Sequence, residues 1–141
     1  YYHDWLDGDG FPFWSFWENV RSWWEIRDLP NVYMLHFNNL KTDLPAEIRT
    51  MAAFLDISIN EDVWEDILLH CSFDYMKKNA TASTPLGGAF WDGGADNFVY
   101  KGINGRWKDR LTEEESRKYE KLALEKLGEE CFDWLTTGRG L

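Results

Sequence analysis

Val32-Tyr33-Met34-Leu35-His36-Phe37 decides the fold. The run is almost continuously apolar, is bounded by Pro30-Asn31 and Asn38-Asn39, and does not alternate. Strands covered on both faces of a parallel sheet read this way, whereas half-exposed strands alternate apolar and polar positions. The pattern predicts one strand over residues 32–37. A lone strand leaves its N–H and C=O groups unpaired, and no other stretch reads convincingly as a strand. Its sheet partners are therefore expected from outside residues 1–141 or from another chain. The chain is expected to be a single, partial α/β domain lacking its first half. The competing reading is an all-helical domain in which residues 32–37 form a buried extended linker.

Around that run the pattern is helical. Ser15-x-x-Glu18 is a capping box, and Trp17, Val20, Trp24 and Arg27 trace one face as far as Pro30. Asp43 can cap a helix with Pro45 in its first turn, carrying the stripe Ile48, Met51, Ala52, Leu55. Asn60 can cap a third helix with Trp64, Ile67, Leu68 and Cys71 on its buried side, and Ser72 opens a short fourth helix through Met76. Thr112-x-x-Glu115 is a second capping box, followed by Tyr119, Leu122, Ala123 and Leu127, with Gly128 as the stop. A last helical turn is expected around residues 131–135. Residues 80–97 hold five Gly or Pro and read as a long loop.

At 141 residues the chain is of single-domain length. With 44% hydrophobic and 17% aromatic residues it predicts an ordered core, into which most of its nine tryptophans should pack. No apolar run approaches the roughly 20 residues a membrane span needs. Cys71 and Cys131 lack zinc-site spacing and are read as reduced and partly buried. Asn79-Ala80-Thr81 matches a glycosylation acceptor, a pattern that matters only in a secreted protein.

The net charge is -10, yet Lys101, Arg106, Lys108 and Arg110 cluster within Phe98-Val-Tyr-Lys-Gly-Ile-Asn-Gly-Arg-Trp-Lys-Asp-Arg110 against a single Asp109. Nonspecific nucleic-acid binding needs broad positive surface to displace condensed counterions, so this acidic chain argues against it. A basic island with Gly102 and Gly105 suits one small, dense anion held by cations and exposed backbone N–H groups. It reads equally well as a solvated basic turn.

In their order and spacing these segments resemble the C-terminal half of a cytosolic-type sulfotransferase. Such enzymes move a sulfuryl group from 3'-phosphoadenosine 5'-phosphosulfate (PAPS) to a hydroxyl or amine acceptor, leaving adenosine 3',5'-bisphosphate. Tyr1-Tyr2-His3 is similar to the helix that follows the family's R-N-P-K-D-x-x-x-S segment. Trp23-Trp24-Glu25 resembles its W-W-E, and Leu35-His-Phe-Asn-Asn-Leu-Lys41 its L-x-Y-E-D-M-K. His70-Cys-Ser-Phe-Asp-Tyr-Met-Lys-Lys-Asn79 resembles H-T-S-F-x-x-M-K-x-N, and Tyr100-Lys-Gly-Ile-Asn-Gly-Arg-Trp-Lys108 resembles R-K-G-x-x-G-D-W-K. The implied fold is a P-loop-type parallel sheet, mostly helical within this chain, and the implied location is cytoplasmic.

The resemblance assigns cofactor contacts position by position. Phe73 matches the aromatic that stacks on adenine, with Cys71, Ser72 and Met76 on the same wall. Lys101 and Gly102 match residues gripping the 3'-phosphate, and Phe98, Val99 and Tyr100 complete that loop. Phe37 falls at a further cofactor position. Phe90 and Trp91 align where the family closes over its small-molecule acceptor. Without the resemblance, Phe73 and Met76 read as core, Ser72 as an N-cap, and Phe90 and Trp91 as a staple for their loop.

Several positions depart from the family pattern. Phe37 stands where Tyr is usual, Cys71 where Thr is usual, and Tyr100 where Arg is usual, which removes a bidentate phosphate clamp. Arg106 is a nearby cation that could compensate. Of the dimer motif K-x-x-x-T-V-x-x-x-E only Lys108 and Thr112 survive, with Glu113 and Arg117 at its Val and Glu positions. The family's lysine-bearing phosphate loop and catalytic His have no match here. His3, His36 and His70 do not align with that His. His70 is expected at a helix C-terminus and His36 as a satisfied neutral imidazole. The chain is expected to supply only the adenine and 3'-phosphate side of the site. Two rival functions follow from the residues: a non-catalytic member binding a nucleotide or partner, and an aromatic-rich ligand-binding module.

Overall fold

The structure is a computed structural model that describes residues 2–140; Tyr1 lies outside the described residues. In chain order the helices are α1 (Tyr2–Asp7), α2 (Phe16–Glu25), α3 (Phe37–Thr42), α4 (Leu44–Phe54), α5 (Trp64–Cys71), α6 (Phe73–Lys78), α7 (Ala80–Ser83), α8 (Gly94–Phe98), α9 (Glu113–Leu127) and α10 (Glu129–Thr137). Short 3-10 turns lie at Glu61–Val63, Pro85–Gly88 and Arg106–Asp109. Two compact units result: residues 2–43 with 106–140, and residues 44–105.

The expected strand is absent. Residues 32–36 form neither helix nor strand, and Phe37 already belongs to α3. His36 has extended dihedrals (φ -107°, ψ 133°), and residues 32–36 are all half-buried, Met34 against Trp24, Cys131 and Trp134. The apolar run thus specified burial, and extension at His36, but not a strand. A strand exists only as part of a ladder, and no ladder partner occurs among the described residues.

The first unit has two buried clusters. Leu6, Trp17 and Ala123 are packed by Trp5, Phe16, Tyr119, Leu122 and Leu127, while Trp24, Cys131 and Trp134 are packed by Val20, Met34, Leu127 and Leu135. Trp17 and Trp24 lie seven residues apart on one face of α2, as the periodicity predicts. The Arg27 guanidinium sits 4.2 Å from the Trp24 ring centroid and donates to the Trp24 carbonyl at 2.9 Å. Burial pushes the Cys131 thiol pKa up, so this cysteine is an inert core group. Cys71, the last residue of α5, is exposed rather than partly buried.

Capping follows the local code. The Ser15 hydroxyl accepts from the Glu18 amide at 3.0 Å to start α2. The box opening α9 is complete: Thr112 Oγ1 accepts from the Glu115 amide at 3.2 Å, and the Thr112 amide donates to Glu115 Oε2 at 2.7 Å. Arg117 pairs with Glu113 at 3.3 Å, so both substituted positions of the dimer motif are engaged within α9.

His36 is the satisfied neutral imidazole anticipated. Its Nδ1 accepts from the Asn38 amide at 3.1 Å, which forces the proton onto Nε2, and Nε2 donates to the Leu135 carbonyl at 3.0 Å. Asn39 donates to the Gly138 carbonyl at 3.1 Å, so α3 is latched to the end of α10.

The predicted loop over residues 80–97 is instead wound into α7, the Pro85–Gly88 turn and α8. Gly88 explains how. It has φ +85°, and a Cβ there would meet the Ala95 amide nitrogen at 2.2 Å, so only glycine allows these turns to touch. Ala80, Thr84 and Ala95 are buried around that contact, and the Thr84 hydroxyl donates to the Ala80 carbonyl at 2.6 Å. Asn79 spends its side-chain N–H on the Tyr75 carbonyl at 2.9 Å, the chemistry of a helix end rather than of a displayed glycosylation site.

Candidate functional site

The second unit gathers eleven of the twelve candidate residues into two short stretches, residues 71–76 and 98–102, plus the pair 90–91. The first stretch is fixed by Ser72. Its hydroxyl donates to the Leu69 carbonyl at 2.7 Å and accepts from the Tyr75 amide at 3.2 Å, ending α5 and starting α6 with one side chain. Across that break His70, in the last turn of α5 as expected, meets the Tyr75 ring edge-on at 4.4 Å. Phe73 is the first residue of α6, half-buried, and Met76 stands one turn on, 37% exposed.

The second stretch leaves the end of α8. Phe98 is the last residue of that helix, and the chain then runs extended or coiled through Val99, Tyr100, Lys101 and Gly102. Lys101 is exposed, its ammonium 5.2 Å from the Tyr100 ring centroid.

The two stretches meet at one point. Gly102 has φ +58°, and a Cβ there would lie 2.4 Å from Cδ2 and 2.6 Å from Cε2 of Phe73. The backbone of the basic loop therefore rests on the ring, an approach that only glycine allows. The sequence offers no signal for this contact beyond the identity of the two residues, which are 29 positions apart by subtraction.

Lys77 is a residue the sequence reading passed over, although it lies within the quoted M-K-x-N segment. Its ammonium donates to the Asp96 main-chain carbonyl at 2.6 Å and approaches the Asp96 carboxylate at 3.6 Å, joining α6 to α8. Trp91 packs against Phe98 with centroids 4.3 Å apart and ring planes tilted by 51°, whereas Phe90 is 77% exposed.

Phe37 lies in the first unit, half-exposed at the start of α3. Lys108, 5.6 Å from the Trp107 centroid, also belongs to that unit, together with Arg106 and Arg110. The three histidines are all engaged: His36 as above, His70 against Tyr75, and His3 beside Glu115 at 3.0 Å. Among the described residues no group of His, Cys, Asp and Glu could hold a metal ion, and no helix is long and apolar enough to cross a membrane.

A short capped helix carrying an aromatic ring thus lies beside a glycine-bearing loop with an exposed ammonium. The chain belongs to the sulfotransferase family: the Sulfotransferase domain matches residues 2–130. It is 31% identical over 123 residues to Sulfotransferase 1B1 of Mus musculus, covering 86% of this chain and 41% of that protein. It is likewise 31% identical over 126 residues to Sulfotransferase 1E1 of Homo sapiens, covering 89% of this chain and 43% of that protein. The chain thus spans about two-fifths of the length of these curated relatives. The crystal structure of mouse sulfotransferase SULT7A1 complexed with PAP superposes with a TM-score of 0.75 at 25% identity, over 97% of this chain and 50% of that one.

Proposed function

We propose that this chain is the C-terminal part of a single PAPS-dependent sulfotransferase domain and supplies the adenine and 3'-phosphate side of its nucleotide site. The observation that carries the reading is the seat of Gly102 on Phe73, which brings the aromatic stretch and the basic loop onto one wall. The residues present suit the group: Phe73 offers a ring for adenine, Cys71, Ser72 and Met76 flank it, and Lys101 with Gly102 offers charge and backbone to a phosphate. Phe98, Val99 and Tyr100 carry that loop, and Phe37 is assigned to the nucleotide as well.

PAPS brings the activated sulfuryl group. During transfer the acceptor oxygen or nitrogen bonds to sulfur as the bond from sulfur to the 5'-phosphate oxygen breaks, and the acceptor proton passes to a base. None of the three histidines of this chain matches the family's catalytic His, so by the resemblance the base and the cations on the transferring group are assigned to other residues of the full-length protein. Phe90 and Trp91 are assigned to the small-molecule acceptor. Exposure favours Phe90 for direct contact, while Trp91 packs against Phe98.

Calorimetric titration of the full-length protein with adenosine 3',5'-bisphosphate tests the reading. Saturable one-to-one binding is expected, and absence of binding overturns it. A second reading, a non-catalytic nucleotide-binding member, is favoured by Tyr100 and Cys71 standing where Arg and Thr are usual. Sulfuryl transfer from PAPS to a panel of phenols, alcohols and amines separates the two: product formation supports the enzyme, and binding without product supports the second.

A further inference from the structure

We infer that Lys77 is a positioning residue that holds the phosphate-side loop in register with the aromatic side of the nucleotide site; this rests on the nucleotide reading above. α6 has six residues and α8 has five, and helices this short are marginal on their own. Each nevertheless carries half of the candidate site: Phe73 begins α6, and Phe98 ends α8 where the loop to Lys101 and Gly102 departs. The last carbonyls of a helix lack partners within it. In α8 the Ala95 carbonyl is taken by the Val99 amide at 3.0 Å, and the next carbonyl, that of Asp96, is taken by the Lys77 ammonium at 2.6 Å.

Lys77 therefore caps α8 from α6. The Asp96 carboxylate adds attraction at 3.6 Å, but it is 79% exposed and contributes little through solvent. The main-chain carbonyl is the partner that matters, and the identity of residue 96 is secondary. Lys77 projects from the turn after Phe73, so one side chain sets the spacing between the aromatic wall and the loop that rests on it.

The test uses the full-length protein. Lys77→Met should raise the Kd for adenosine 3',5'-bisphosphate about tenfold, the scale of one lost charge-assisted hydrogen bond. Lys77→Arg should restore most of that loss, and Asp96→Asn should bind almost as the parent does. Hydrogen exchange of the amides of residues 99–102 in the ligand-free protein should quicken in Lys77→Met and recover in Lys77→Arg. If acceptor KM and melting temperature change as much as nucleotide Kd, Lys77 is merely structural and the inference fails. Parent-like binding and exchange in Lys77→Met also overturn it. A parent protein that binds no nucleotide overturns the functional reading, while the exchange comparison still decides whether Lys77 orders the loop.

Discussion

Phe73 and Gly102 each take their meaning from the other. A ring at the start of a six-residue helix reads as core until the loop that rests on it is located. Phe73→Ala in the full-length protein should weaken adenosine 3',5'-bisphosphate binding by roughly 1–3 kcal/mol, the range for lost base stacking. Because a cavity alone can cost as much, the comparison is Leu6→Ala, which opens the first unit's core. Equal losses of affinity in both, measured by calorimetry, would return Phe73 to the core. Gly102→Ala should destabilise the protein by about 1–3 kcal/mol, since its Cβ would overlap the ring and its φ is positive. In a Phe73→Ala background the same change should cost less, because the overlap is gone and only the backbone term remains. Denaturant melts of the four proteins in this cycle measure the difference. Phe90→Ala should raise the acceptor KM with little change in nucleotide Kd. Trp91→Ala should change both, since its ring supports Phe98.

At the scale of elements, capping chemistry was the most legible part of the sequence. Ser15, Asn60, Ser72 and Thr112 each accept the backbone N–H their position implies, because a cap is a local bond between residues two or three apart. The box on α9 has a measurable signature. Hydrogen bonds from the Thr112 backbone and side chain, with His3 nearby, hold the Glu115 carboxyl below the ordinary glutamate range. A lowered folded pKa means stability that is fully present above the unfolded value and is lost as pH falls through the folded one. Acid unfolding should therefore be shallower in Glu115→Gln, which lacks this titration, and thermal melts below the ordinary glutamate range should show the two proteins converging. Two stretches were misread for opposite reasons. Residues 80–97 looked like loop because glycine and proline punctuate them, yet Gly88 is what lets α7, its turn and α8 pack. Residues 32–37 looked like strand because the apolar pattern reports burial and says nothing of a pairing partner.

For the whole molecule, the curated relatives it matches are more than twice as long as this chain. The purified 141-residue chain should give no sulfated product with PAPS and an acceptor, while the full-length protein should, as read by mass spectrometry. In the full-length protein the amides of residues 32–36 should exchange more slowly than in the isolated chain. Equal rates would mean that the segment is a linker in both. By itself the sequence determined the caps at Ser15, Asn60, Ser72 and Thr112, the apolar faces of α2 and α9, and the family, since all of these are written in local spacing and short motifs. Only the tertiary structure decided that Gly102 rests on Phe73, that Lys77 caps α8 from α6, and that His36 latches α3 to α10. Each joins groups far apart in sequence whose approach depends on how the intervening chain packs, and no local pattern encodes that.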